Sequence, residues 1–145
     1  MKYLTALKNI FRKTSGIQPY KTVIAEKGEL VAAKFLKKKG YKILQRNYRR
    51  KVGEIDIICY DHGVIVFVEV KTRSTDNYGP PELSVTETKK RQIIKVASYY
   101  IAEKKIEGID LRFDVVSIVY LPIKKHPVIT LYKNAFTKNG SGVFR

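Results

Sequence analysis

The stretch GEIDIICYDHGVIVFVEVKTR, residues 53–73, decides how this chain folds. Two runs rich in β-branched and aromatic residues, Val52 to Tyr60 and Val64 to Thr72, flank Asp61-His62-Gly63, a tight-turn signal. With His62-Gly63 as a two-residue turn, Asp61 stands opposite Val64 and the rest of the register follows. Ile55 then faces Val70, Ile57 faces Val68 and Cys59 faces Val66, three apolar pairs that define a core face. The other face pairs Glu54 with Lys71, Asp56 with Glu69, Ile58 with Phe67 and Tyr60 with Ile65. A slip of one residue would mix charge into every core pair, so the pattern itself specifies the register.

This register sets two carboxylates directly across from each other, with Cβ atoms about 4.5–5.5 Å apart. Like charges so placed are destabilising unless something positive lies between them. A hard divalent cation with oxygen ligands answers that need, and Mg²⁺ takes one or two carboxylates plus substrate phosphate. Lys71, two residues beyond Glu69, shares its face, and its ammonium can reach the same point. The competing reading is an exposed Glu54–Lys71 ladder with both acids simply hydrated. Ile58, Ile65 and Phe67 on that face argue that it is covered, where an uncompensated acid is costly.

Outward from the hairpin, Val23 to Lys39 reads as a helix closed by Gly40, and Tyr41 to Tyr48 as a strand. A second helix is expected from Val85 to Lys105, opened by a capping box of Ser84 and Glu87. Strands are expected at Leu111 to Val119 and Val128 to Tyr132, giving the α/β order α-β-β-β-α-β-β. On the first helix, Glu29 lies within about 60° of Ala25, Ala32, Ala33 and Leu36, a lone charge in a small-residue stripe that should face the sheet. Residues 1–20 read as a basic N-terminal appendage and 21–145 as one domain.

The chain carries 29 Lys and Arg against 13 Asp and Glu, a net charge of +16. Residues 1–53 hold fifteen of the basic groups and two of the acids. A field of this size favours a polyanion, and nucleic acid is the commonest one. The single cysteine, Cys59, excludes an internal disulfide framework and fits the cytoplasm. The N-terminus lacks the apolar run of a secretory signal, and neither His62 nor His126 has a partner at zinc-ligand spacing.

Asp56…Glu69-Val70-Lys71 resembles the Asp…Glu-x-Lys signature of the PD-(D/E)xK nuclease superfamily, and Glu29 the preceding helical acid of its Holliday-junction-resolvase-like branch. The wider string is more specific: Gly28-Glu29, Gly40-Tyr41, Asn47-Tyr48, Gly53-Glu54-Ile55-Asp56, Phe67 to Arg73, Gly79, Ser84-Val85, Lys89, Arg112 to Val116 and Asn134-Ala135-Phe136. Together these resemble the YraN family. The resemblance implies a restriction-endonuclease-like αβββαβ core, a mixed sheet flanked by helices. It also implies Asp56 and Glu69 as metal ligands, Lys71 as the catalytic lysine and Glu29 as an accessory acid. The residue before Asp56 is Ile55, not the proline of the signature, which is dispensable in many members.

The expectation is a nuclease dependent on Mg²⁺ or Mn²⁺ and acting on DNA, structured or branched. Catalytic residues would be Glu29, Asp56, Glu69 and Lys71, with Asp56, Glu69 and the Val70 carbonyl holding the metal. Arg49, Arg50, Lys51, Arg73 and Lys89 would contact nucleic acid, and by analogy with resolvases the protein would be a homodimer. The alternative is a nucleic-acid-binding module of the same fold with little or no catalysis. Glu54 is expected to balance Lys71, with a ligand role as the second reading, and Asp114 to pair with Arg112; Tyr78 reads either as a ring that stacks on a base or as cover for apolar surface.

Overall fold

A computed structural model describes residues 20–74 and 85–137 of the chain. The elements run α1 (Tyr20–Lys38), β1 (Lys42–Arg50), β2 (Gly53–Asp61), β3 (Val64–Arg73), α2 (Glu87–Glu103), β4 (Asp110–Val119) and β5 (Val128–Phe136). The strands form one five-stranded sheet in the order β1-β2-β3-β4-β5. Only β3 and β4 are parallel, joined through α2, and the other neighbours are antiparallel. This is the α/β architecture expected, and it is consistent with an αβββαβ core. The expected appendage lies outside the described residues, apart from its last residue, Tyr20, which opens α1.

The sheet is covered on both faces, which is why β2, β3 and β4 read as nearly continuous apolar runs. Ala32, Ala33 and Leu36 of α1 pack on Ile57, Cys59, Val66, Val68, Val116 and Ile118. Ile93, Val96, Ala97 and Tyr100 of α2 pack on Ile58, Ile65, Phe67, Phe113 and Val115. On that second side an aromatic row runs Tyr48–Tyr100–Phe67–Phe113–Phe136, edge-to-face and then stacked, with centroids 5.0–6.0 Å apart. Cys59 is fully buried, in keeping with its reading as a small hydrophobe.

The hairpin turns as expected, with His62 at φ 45° and Gly63 at φ 88°, the left-handed pair of a type I′ turn. From Asp61↔Val64 to Ile57↔Val68 the register is the one the pattern specified. Two expectations fail beyond that point. The last pair of the ladder is Ile57↔Val68, so the direct opposition of Asp56 to Glu69, of Ile55 to Val70 and of Glu54 to Lys71 is not formed. Ile55 also leaves the face of Ile57 and Cys59 and joins the α2-side core with Tyr48. The alternation breaks beside Asn47 of β1, whose φ of 52° is foreign to a regular strand.

The cause of the parting is competition between neighbours. Strand β2 stays paired with β1 down to Gly53, and β3 with β4 out to Arg73, so each is held by its outer partner. A fork opens between them. Helix α2 also starts later than expected: Thr86, not Ser84, caps it, its hydroxyl accepting from the Lys89 N–H at 3.1 Å. Ser84 itself lies outside the described residues.

Candidate functional site

The fork gathers the charged residues that the hairpin carries. Had the ladder continued, the Val70 N–H would meet the Ile55 carbonyl. Instead it donates to Asp56 Oδ2 at 2.8 Å, so the Asp56 carboxylate spans the gap from β2 to β3. Glu69 approaches from β3, 6% exposed and in hydrogen-bonding reach of Asp56. Its Oε1 is 3.7 Å from Lys71 Nζ and 3.8 Å from Lys89 Nζ of α2. Its Oε2 is buried and has no hydrogen-bond partner.

From the other side α1 delivers Glu29. The helix can come close because Gly28 rests on β3: a Cβ there would stand 2.1 Å from Thr72 Oγ1 and 3.3 Å from Thr72 Cβ. Carboxylate oxygens of Glu29, Glu54 and Asp56 lie within 4.8 Å of one another, a group that could hold a metal ion. Glu54 therefore does not balance Lys71. Its salt bridge is to Arg49 Nε at 2.7 Å, while Lys71 pairs with Glu69, because the parted strands separate the two expected partners.

Burial first, and then one another's charges, raise the pKa of these acids. Burial, then the Asp56 and Glu54 charges, push Glu29 up to about 7 against the opposing charge of Arg46. Burial and then Asp56 push Glu69 up to about 8, although Lys89 and Lys71 oppose it. Asp56 is raised too, by burial first, with the Val70 N–H working against the shift. These are the signs of carboxylates packed together without enough positive charge.

The basic residues expected at a nucleic acid are spread around this centre. Arg49 and Lys51 are exposed at the β1–β2 turn. Arg50 instead pairs with Glu103 of α2 and lies over the Tyr48 ring, 4.3 Å from its centroid, which ties it to the fold. Arg73 ends β3 beyond Lys71, its carbonyl accepting from the Tyr120 N–H at 2.8 Å. Lys89 reaches Glu69, as its inward start on α2 implied. Tyr78 lies outside the described residues.

At the opposite end of the hairpin the Arg112–Asp114 pair is present, at 2.8 Å. Sequence reasoning missed its extent, because Arg112 also donates to Asp61 Oδ2 at 3.0 Å and to the Tyr41 hydroxyl at 2.9 Å. In the sequence Asp61 reads only as a turn residue. Its signal lies in the hairpin register together with the parallel pairing of Val64 with Asp110, which sets Asp61 and Arg112 close across β3.

Comparison with known proteins places the chain in a family. A protein from Caldicellulosiruptor saccharolyticus is 46% identical over 117 residues, covering 80% of this chain and 98% of its own length. One from Alkaliphilus metalliredigens is 44% identical over 113 residues, 78% of this chain and 96% of its own. One from Syntrophus aciditrophicus is 42% identical over 127 residues, 88% and 94%. Each bears the description UPF0102 protein, and the model of the uncharacterised protein family UPF0102 matches residues 28–118, from the glycine beside Glu29 through both strands of the fork to β4. This chain belongs to that family, the YraN family.

Proposed function

We propose that the protein is a nuclease dependent on Mg²⁺ or Mn²⁺ that hydrolyses phosphodiesters in DNA at the fork between β2 and β3. The observation that carries this reading is the meeting of Asp56, Glu69 and Lys71 from parting strands, with the Glu69 Oε2 buried and without a partner. Buried acids of this kind call for a cation, and an all-oxygen donor set suits a hard one. Asp56 and Glu69 would hold it. The Val70 carbonyl, on the same strand edge as the N–H that faces Asp56, would join them.

A bound Mg²⁺ or Mn²⁺ supplies positive charge to the phosphate and acidity to the attacking water. The chain's own groups do the rest. Lys71 orients that water and stabilises the charge that builds on the phosphate, as a preorganised ammonium in a half-buried position. Glu29 accepts the proton, a role suited to a carboxyl poised near 7. Lys89 holds a non-bridging oxygen, and Arg49, Lys51 and Arg73 track the backbone on either side. Among the described residues no helix is long and apolar enough to cross a membrane.

The test is a nicking assay on linear, supercoiled and branched DNA, with each cation. Wild type should cleave at least one form, and Lys71→Ala should lose cleavage at least a hundredfold while keeping most binding. Salt-sensitive binding with no nicking on any form would instead indicate a DNA-binding module of the same fold.

A further inference from the structure

We propose that the tip of the β4–β5 hairpin, residues 121–127, selects the substrate: Lys124 and Lys125 hold phosphates while Ile123 wedges into a base step whose stacking is already broken. This deepens the nuclease reading by naming its substrate class, and rests on it for the path of the DNA. The tip reads Leu121-Pro122-Ile123-Lys124-Lys125-His126-Pro127, and Ile123 is 93% exposed. A lone exposed isoleucine carries no argument by itself. Its setting carries this one.

The first support is position. Strands β3 and β4 run parallel, with Lys71 beside Ser117 and Arg73 beside Val119. The Tyr120 N–H donates to the Arg73 carbonyl at 2.8 Å, so the tip leaves the sheet at the end where the fork opens. From Ser117 to Tyr120, at about 3.3 Å per residue, is about 10 Å, or about three base pairs along a duplex that meets Lys71. The base of the tip is also fixed to α1. Lys27 Nζ lies 5.8 Å from the Tyr120 ring centroid, and Gly28 packs on Thr72. The Lys124 N–H donates to the Leu121 carbonyl at 3.1 Å, and Pro122 and Pro127 stiffen the turn further. A tip held in this way loses little freedom when it meets DNA.

The second support is charge. Residues 115–145 hold no Asp or Glu, and among the described residues neither Lys124 nor Lys125 has an acid partner. Their charge is left for phosphate, whatever the base sequence. Wedging into an intact stack costs unstacking, and that cost is least where a base is mismatched or already single-stranded. The lysines therefore raise affinity for every form, whereas the isoleucine favours distorted DNA over intact duplex. An anionic lipid surface would meet the same charges, but one isoleucine buries too little apolar area to anchor the protein.

Fluorescence anisotropy with the full chain in CaCl₂ measures binding to a fully paired duplex and to one of equal length with a central mismatch bubble. Wild type should prefer the bubble by about tenfold, and 2-aminopurine beside the bubble should brighten on binding. Ile123→Ser should bring the ratio to about one, abolish the brightening and leave affinity for paired duplex unchanged. Lys124→Ala/Lys125→Ala should weaken both complexes alike and lower the salt slope by about two. Thermal melts should match wild type for each variant, since the tip lies outside the core. A wild-type ratio near one, or a ratio that Ile123→Ser leaves intact, would overturn the wedge and leave the nuclease reading to its nicking assay. Discrimination that depends on Ile123 in a protein that nicks no form would keep the wedge and overturn the nuclease. Sedimentation with vesicles of phosphatidylcholine and phosphatidylglycerol in equal parts, lost in Ile123→Ser while DNA binding is unchanged, would assign the tip to a membrane and overturn the proposal. Binding of neither DNA by wild type would overturn both readings.

Discussion

The two ends of one hairpin hold two clusters of buried acids, and the sheet treats them in opposite ways. Near the turn, Asp61 and Asp114 share Arg112, which also reaches Tyr41, and the Asn134 N–H adds a further bond to Asp114 at 2.9 Å. There the hydrogen bonds from His62 and Arg112 outweigh burial and hold the Asp61 carboxyl below its usual range. At the open end, Glu29, Asp56 and Glu69 are all raised, and one buried oxygen has no partner. Both clusters are buried and both join several elements. Only in the first do the acids share an arginine within the chain. Burial of charge therefore does not mark a functional site, whereas burial without compensation points to a ligand from outside.

Removing the arginine should produce the largest effect. Arg112→Leu leaves Asp114, 0% exposed, without its main partner, and should cost about 3–5 kcal/mol in urea unfolding. A loss under about 1 kcal/mol would mean that the closed cluster is not held together as described. The opposite sign is expected at the fork. Glu69→Gln removes the ionisation penalty and should stabilise the metal-free protein by about 1–2 kcal/mol at pH 8, while weakening Mn²⁺ binding.

Without metal, the fork should dominate the pH dependence of stability between about pH 5 and 8.5, a range above the lowered titration of Asp61. Glu29 and Glu69 titrate in the fold near 7 and 8, above the 4.5 of an unperturbed glutamate, so the native state binds more protons than the unfolded one between these values. Stability is then full below about pH 4.5 for these groups and falls as pH rises through 7 and 8. Melting temperature should drop by several degrees between pH 5 and 8.5, measured by circular dichroism, and Mn²⁺ should restore it at the upper end. A flat profile would remove the contrast between the clusters. The smallest effect belongs to the exposed pair: Arg49→Gln should change stability by less than about 0.5 kcal/mol. The same variant should lower the salt dependence of DNA binding by about one phosphate contact.

Much of this is legible in residues 53–73 and in the first helix. The turn, the pairing from Ile57 to Asp61 and the helix stripe of Ala32, Ala33 and Leu36 follow from local pattern, because apolar periodicity and turn chemistry act over a few residues. The fork did not follow. Whether β2 keeps to β3 past Ile57 depends on how strongly β1 and β4 hold the outer edges, a contest between distant segments that no hairpin pattern records. The placement of Glu54 failed for the same reason, since its side depends on a break in alternation beside Asn47 of another strand. Glu29 meets Asp56 from the side that Ala32, Ala33 and Leu36 face, although Leu30, Val31 and Phe35 blur that phase in the sequence.

The central claim is that the carboxylates at the fork share a cation. Its most direct test is the anomalous scattering of a wild-type crystal grown with MnCl₂ at pH 8. The account predicts a peak in contact with Asp56 and a Glu69 oxygen, with the Lys71 ammonium beside it. An ordered fork in which Asp56 and Glu69 share only a proton, with no Mn²⁺ peak at either acid, would contradict it.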